Sequence, residues 1–209
     1  MIVIVDYGIG NVFNILKCLK SLNKKIIVSN NEKEILNSNF LILPGVGSFG
    51  YAAAKLKKSN LDKTIIEYVN KGKFLLGTCV GMQLLMTKSY EDGVHDGLNL
   101  IPGNVNHLKI LNKKNLKIKY PHIGWSKINF LNKKISSKLK IQDKDFYFVH
   151  SYYSQPTDKK DIVGFTDYSN MQFPSIIKKE NVIGFQFHFE ISGKNGLTLI
   201  DNLFKNFDI

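Results

Sequence analysis

Apolar residues in the first part of the chain occur in short unbroken runs, and each run is followed by a segment of helical periodicity. The runs at 2–5, 40–43 and 74–78 show no alternation with polar residues, a pattern typical of parallel strands that are covered on both faces. Strands that alternate with helices predict a doubly wound α/β sheet. The predicted strands are 2–5, 25–28, 40–43 and 74–78, and the predicted helices are 11–22, 32–37, 51–58 and 61–71.

This alternation stops near residue 97, and short strands with turn signals follow. They predict an antiparallel layer, or the antiparallel edge of a mixed sheet, added to the parallel core. The predicted strands here are 97–105, 116–120, 126–130, 145–153, 162–166, 175–178 and 182–187, before a last helix at 194–207. Because no linker-like stretch divides the 209 residues, we expect a single domain over 1–209.

The first residues of the sequence, the length of its apolar runs and its cysteines are informative about the cellular compartment. The chain begins with a buried strand, without the basic and apolar regions of a signal peptide, and no run is long enough for a membrane span. Two cysteines do not make a disulfide framework. We therefore expect a cytoplasmic protein with no membrane partner.

The net charge of +12 raises the question of nucleic-acid binding. All 29 basic residues are lysine, and the chain lacks the arginine that forms bidentate contacts with bases and phosphates. The lysines are also scattered along the chain. We expect no nucleic-acid partner and interpret most of the charge as a solvated surface, part of which is available to anionic substrates or an acidic partner.

Cys79 lies where an apolar strand breaks and an apolar helix begins. Gly77 and Gly81 flank it two residues away on either side, the thiol counterpart of the G-x-S-x-G nucleophile elbow. The start of the helix would also favour the thiolate. Cys18, by contrast, has helical spacing with apolar neighbours and is predicted to pack in the core. Cys79 is therefore the candidate nucleophile.

Two glycine-rich turns follow predicted strands, at 6–11 and at 44–50. Such turns at the carboxyl ends of parallel strands are where open α/β sheets bind ligands. Backbone N–H groups in a glycine-rich loop can approach a developing negative charge, so 44–50 is the candidate oxyanion loop, with a plain tight turn as the alternative.

A thiol nucleophile needs a base and a group that orients the base. His188 and Glu190 are two residues apart in a predicted extended segment, so their side chains can share a face and form a hydrogen bond. A zinc site is disfavoured because no second Cys/His cluster has ligand spacing. His122 and His150 lie among aromatic residues, and spacing alone leaves both a substrate-site role and a structural role open.

These features together resemble the class I glutamine amidotransferases, and among them the glutaminase subunits of imidazole glycerol phosphate synthases. The resemblance covers nearly the whole chain. The motifs that carry it are DYGIGN (6–11), PGVGSFG (44–50), GTCVGMQLL (77–85), GL with IPG (97–103), PHIGW (121–125), YFVHSYY (147–153) and GFQFH (184–188). It implies a flavodoxin-like, doubly wound mixed sheet.

The resemblance also implies roles for individual residues. Cys79 would attack the side-chain amide of glutamine, with His188 as acid and base and Glu190 as the residue that orients it. No cofactor and no metal is implied. The implied oxyanion and glutamine-binding set consists of Gly45, Val46, Gly47, Val80, Gln83, Ser151 and Tyr152.

A partner is implied as well. In this family ammonia passes into a (β/α)₈-barrel synthase subunit of a heterodimer, which makes imidazole glycerol phosphate and the purine precursor AICAR in histidine biosynthesis. The resemblance implies a glutaminase that is nearly inactive until the partner holds its own substrate, with the oxyanion loop as the element that switches the activity.

The chain departs from the family pattern after the histidine. Phe189 and Ile191 stand where the family usually has proline and lysine, and Phe13 and Asn14 are also unexpected. These changes keep two alternatives open. One is a paralogue that supplies ammonia for amidation of a nucleotide-sugar or surface-glycan precursor, and the other is a non-catalytic or regulatory binding module.

Overall fold

The computed structural model describes residues 1–113, 117–131, 133–141 and 143–206. The strands are β1 (Ile2–Val5), β2 (Ile26–Ser29), β3 (Phe40–Leu43), β4 (Phe74–Thr78), β5 (Lys88–Ser89), β6 (His95–Asp96), β7 (Gly103–His107), β8 (His122–Lys127), β9 (Asn129–Phe130), β10 (Asp145–His150), β11 (Tyr152–Pro156), β12 (Ile162–Tyr168), β13 (Met171–Lys179) and β14 (Val182–Phe185). The helices are α1 (Val12–Leu19), α2 (Glu32–Asn37), α3 (Phe49–Lys58), α4 (Leu61–Asn70), α5 (Val80–Leu84), α6 (Lys133–Leu139) and α7 (Gly193–Asn206).

The main sheet has the strand order β2-β1-β3-β4-β14-β13-β12-β9. Its first five strands are parallel, and the last three continue it in antiparallel fashion. A four-stranded sheet in the order β11-β7-β5-β6 and the two-stranded pair β10-β8 lie beside it. This arrangement confirms the predicted doubly wound mixed sheet with an added antiparallel part.

The unbroken apolar runs are explained by burial on both faces of the sheet. Val3 and Val5 of β1 contribute to one buried cluster, whereas Ile2 and Ile4 contribute to the other. Successive side chains of a strand point to opposite faces, so an alternating apolar pattern would leave one of these clusters without its side chains. Cys18 packs against the second cluster, as its helical spacing predicts.

The prediction for the segment 97–105 was wrong in its first half, because strand structure begins only at Gly103. The N–H groups of Leu98 and Leu100 instead donate to the carbonyls of Leu84 and Leu85. A Cβ on Gly97 would lie 2.2 Å from the Met86 carbonyl oxygen. This segment therefore satisfies the free carbonyls at the end of α5 rather than joining a sheet ladder.

Other predicted boundaries also need correction. The segment 145–153 is two strands, β10 and β11, and 126–130 is divided between β8 and β9. Helix α6 and the short strands β5 and β6 were not predicted. In the segment 116–120, residue 116 lies outside the described residues and 117–120 form no strand. Phe207, in the predicted last helix, also lies outside the described residues.

Within the described part of the chain, no helix combines the length and apolarity needed to cross a membrane.

Candidate active site

The Cys79 turn has the geometry of a strained elbow. Cys79 joins β4 to α5 with φ 53° and ψ −115°, a backbone conformation that costs a non-glycine residue about 1–3 kcal/mol. A Cβ on Gly77 would lie 2.5 Å from the Gly81 carbonyl oxygen, and one on Gly81 would lie 2.0 Å from the Leu43 carbonyl oxygen. Both glycines are therefore required for the close approach of backbones that places the thiol at the end of β4.

The glycine-rich loop after β3 lies directly against this elbow. A Cβ on Gly45 would be 2.3 Å from the backbone nitrogen of Gly81. The first turn of the chain holds the loop from its other side, because the Tyr7 hydroxyl donates to the Pro44 carbonyl at 2.6 Å and Gly10 packs closely on the Pro44 ring. Both sequence-predicted turns therefore meet at the nucleophile candidate.

His188 and Glu190 form the predicted hydrogen-bonded pair, but the predicted extended segment was wrong: β14 ends at Phe185, and Glu190 lies in the 3₁₀ turn Phe189–Ile191. His188 Nδ1 lies 2.8 Å from Glu190 Oε1, and the two side chains are 5% and 1% exposed. Burial by itself lowers the pKa of His188, but charge and hydrogen-bond interactions with Cys79 and Glu190 outweigh it and raise the pKa to about 10. At neutral pH the pair therefore favours an imidazolium beside the sulfur, which is the charge state that a proton donor to a leaving group needs.

A cavity of about 510 Å³ opens beside the thiol. Its lining consists of Asn11, Val46, Gly47, Cys79, Val80, Gln83, Glu91, Pro121, Val149, His150, Ser151, Tyr152, His188 and Ile191. Of the predicted site residues, Gly45 and Glu190 lie outside the lining, since Gly45 packs against the elbow and Glu190 contacts the far nitrogen of His188. The structure brings the other predicted residues together around this one cavity.

Gln83 connects two walls of the cavity. Its side chain is buried, and Nε2 donates to the Tyr152 carbonyl at 3.0 Å.

The structure distinguishes the two histidines whose roles the sequence left open. His150 lines the cavity, whereas His122 lies buried behind it, 3.3 Å from His150.

Glu91 is a candidate that sequence reasoning missed. Among the described residues that line the cavity, Glu91 is the one with a carboxylate side chain. Its Oε2 accepts the Phe49 N–H at 2.6 Å, at the start of α3, and burial raises the pKa of Glu91 above its ordinary value. No local sequence pattern marks this residue, since it lies in a loop between two short strands. The one sequence signal that could have pointed to it is an acidic residue shortly after the helix that follows Cys79.

A metal centre needs several His, Cys, Asp or Glu side chains close together. Within the described ranges, no group of three or more of them could hold a metal ion.

The motif resemblance is supported by comparison with known proteins. A family model described as glutamine amidotransferase class-I matches residues 3–207. The chain belongs to the class I glutamine amidotransferases.

Relatives within this family share the predicted subgroup. A Geobacillus protein (strain WCH70) named imidazole glycerol phosphate synthase subunit HisH is 41% identical over 203 residues, covering 97% of this chain and 95% of the relative. A protein of the same name from Aquifex aeolicus is 42% identical, covering 96% and 94%. These relatives confirm the predicted resemblance, and they favour an enzyme of histidine biosynthesis over the glycan paralogue and the non-catalytic module.

Solved structures support the fold. One titled as a glutamine amidotransferase has a TM-score of 0.70 at 15% identity, covering 98% of this chain and 96% of the other. A chain from the structure of PurLQS from Thermotoga maritima has a TM-score of 0.71 at 16% identity, covering 98% and 97%. The class I amidotransferase architecture is therefore confirmed for the described residues.

Proposed function

We propose that this chain hydrolyses glutamine at Cys79, His188 and Glu190 and delivers the ammonia to a (β/α)₈-barrel synthase subunit of histidine biosynthesis. The observation that carries the proposal is the meeting of a strained cysteine elbow and a buried histidine–glutamate pair at one cavity. In this proposal the chain acts as one cytoplasmic domain over 1–209, and its partner completes a heterodimer.

The first chemical step forms a thioester. The Cys79 thiolate attacks the carbonyl carbon of the glutamine side chain, and the carbonyl electrons move to oxygen. His188 then donates its proton to the amide nitrogen, the carbon–nitrogen bond breaks, and ammonia leaves. Glu190 keeps the imidazole oriented through its 2.8 Å contact with Nδ1.

The second step regenerates the enzyme. Neutral His188 accepts a proton from water, the hydroxide attacks the thioester carbon, and the carbon–sulfur bond breaks to release glutamate and the thiolate. In both steps the oxyanion is stabilised by the Val80 N–H and by the loop that contains Gly45, Val46 and Gly47, because fixed N–H donors stabilise charge that develops in the transition state.

Glutamine binding uses the remaining cavity wall. Gly47, Gln83, Ser151 and Tyr152 surround the amino acid, and the Glu91 carboxylate pairs with its α-ammonium group. Glu91 suits this role because an opposite charge in a partly buried cavity is recognised more strongly than at the surface.

The mouth of the cavity has an apolar rim that supports protein docking. Ile191 and Val149 line the cavity and are 38% and 39% exposed. Val149 pairs across the strands with Ile123, and Trp125 follows on the same face, 55% exposed. Exposed apolar and aromatic side chains grouped in this way mark protein interfaces, and we assign this rim to the barrel partner.

The nucleophile assignment is tested in the assembled complex with the barrel synthase from the same genome. Cys79→Ala is expected to reduce glutamine-dependent turnover at least about a thousandfold, while ammonia-dependent turnover remains. Cys18→Ala, which removes the other thiol from the chain, is the matched control and should keep both activities. Loss of both activities in a folded Cys79→Ala complex would contradict ammonia delivery, and unchanged glutamine turnover would contradict the nucleophile.

A further inference from the structure

Two buried imidazoles, one in the cavity wall and one behind it, form a hydrogen-bonded chain and take no part in the chemical steps above. His122 Nδ1 lies 3.3 Å from His150 Nε2, and His122 Nε2 lies 3.0 Å from the Ser126 hydroxyl oxygen. His150 Nδ1 lies 2.8 Å from the Tyr152 carbonyl oxygen. This hydrogen-bonded chain therefore runs from Ser126 on β8 to Tyr152, which lines the cavity.

The carbonyl at the end of this chain fixes the direction of every hydrogen bond in it. A carbonyl only accepts, so His150 Nδ1 carries the hydrogen, and in a neutral imidazole Nε2 is then the acceptor. His122 Nδ1 must donate to that Nε2, which leaves His122 Nε2 as the acceptor of the Ser126 hydroxyl. Both rings are therefore held as the Nδ1–H tautomer.

Burial and packing keep the rings in this state. His122 and His150 are 2% and 6% exposed, and burial lowers the pKa of His122 to about 4 and that of His150 to about 3. The His122 ring is stacked against Phe148 and Tyr168, with ring centroids 5.0 and 4.2 Å away. Neutral rings with fixed planes make directional donors.

The Tyr152 carbonyl needs such donors because of its place in the fold. Strand β11 lies at one end of the sheet order β11-β7-β5-β6, so among the described strands β7 is its neighbour in that sheet. The Tyr152 carbonyl is held by two side chains, His150 and Gln83. Since Gln83 also lines the cavity, the carbonyl couples two parts of its wall.

We infer that His122 is a positioning residue for glutamine: through His150 it fixes the Tyr152 carbonyl, and with it the cavity wall formed by Ser151 and Tyr152. The inference rests on the proposed function, because glutamine is the ligand whose binding it predicts. His122 itself touches no reacting atom.

Three substitutions of His122 separate hydrogen bonding from packing. His122→Asn keeps a donor near the position of Nδ1, which faces His150. His122→Gln places its amide near the position of Nε2, which faces Ser126, and His122→Phe keeps only a planar ring. Glutaminase kinetics are measured in the complex, and glutamine binding is measured by calorimetry in the Cys79→Ala background, where turnover is absent.

His122→Phe and His122→Gln are expected to raise the KM and the Kd for glutamine roughly five- to tenfold, the effect of losing one net hydrogen bond. His122→Asn should stay within about twofold of the unsubstituted protein, and ammonia-dependent turnover should not change in any variant. Nitrogen chemical shifts of the imidazoles should show the Nδ1–H tautomer of His150 in the unsubstituted protein, and the signal of its Nε2 should shift in the His122→Gln variant, where that nitrogen loses its donor.

Equal glutamine KM and Kd values in the Asn and Gln variants would overturn the inference, and this comparison remains decisive if the Phe variant does not fold. Failure of the proposed function looks different. In that case the unsubstituted complex itself would not hydrolyse glutamine, whereas the calorimetric comparison would still test whether His122 positions the binding wall.

Discussion

Glu91 illustrates how a single side chain can serve two parts of a site. One carboxylate oxygen accepts the N–H at the start of α3, next to the glycine-rich loop, while the residue also lines the cavity. Cys79, His188 and Glu190 could be selected from sequence because each belongs to a short local pattern. Glu91 could not, because its contact with the Phe49 N–H joins segments that are 42 residues apart.

We predict that Glu91→Gln raises the KM for glutamine about 10- to 100-fold, with a smaller effect on kcat. The amide oxygen can still accept the Phe49 N–H, but the charge opposite the substrate ammonium is lost, and hydrogen bonds to charged groups contribute about 1.5–3 kcal/mol. Steady-state glutaminase kinetics of the complex measure the effect. Asp92→Asn removes a neighbouring charge outside the cavity lining and is the control; equal effects of the two substitutions would contradict the assignment.

At the scale of elements, the short segment after β14 holds the histidine in place. The His188 N–H donates to the Tyr147 carbonyl of β10 at 2.9 Å, and the Ser192 hydroxyl, which donates to the His188 carbonyl, accepts the Tyr147 N–H. The 3₁₀ turn Phe189–Ile191 lies between these contacts, with Phe189 fully buried and Ile191 at the cavity mouth. The departure at Phe189 is therefore absorbed by the core without separating His188 from Glu190.

We predict that two substitutions in this turn change the stability of the protein to very different extents. Phe189→Ala should lower the free energy of unfolding by about 3–5 kcal/mol, the usual cost of emptying a buried aromatic site. Ile191→Lys, two residues away and 38% exposed, should change it by no more than about 0.5 kcal/mol. Urea unfolding measures both values. A small effect of Phe189→Ala would show that the turn is not anchored by its packing.

At the scale of the whole molecule, the cavity mouth and the exposed apolar side chains lie on the same part of the surface. The outer face of β8 carries Ile123 and Trp125, and the next strand of that pair carries Val149. The inner face of β8 carries His122 and Ser126, the start of the chain of hydrogen bonds that leads to Tyr152. One strand therefore serves the proposed docking rim and the cavity wall.

We predict that Trp125→Ala weakens binding of the barrel partner about 30-fold or more, because large aromatic side chains near the centre of an interface contribute at least about 2 kcal/mol. Calorimetric titration of the two subunits measures the affinity. Leu131→Ala is the control, since Leu131 is 63% exposed but follows β9 at the far edge of the main sheet. An equal loss of affinity in both variants would contradict the assigned rim.

The sequence by itself determined the parallel core, the cysteine elbow, the histidine–glutamate pair and the family, because each depends on residues that are close together in the chain. Unbroken apolar runs, glycines two residues from Cys79 and the His188–Glu190 spacing act over distances of two to five residues. The tertiary structure decided what depends on distant segments. It places Glu91 in the cavity, turns 97–102 into a cap on α5 rather than a strand, and sets His122 behind His150, since these contacts join segments whose sequence separation carries no periodic signal.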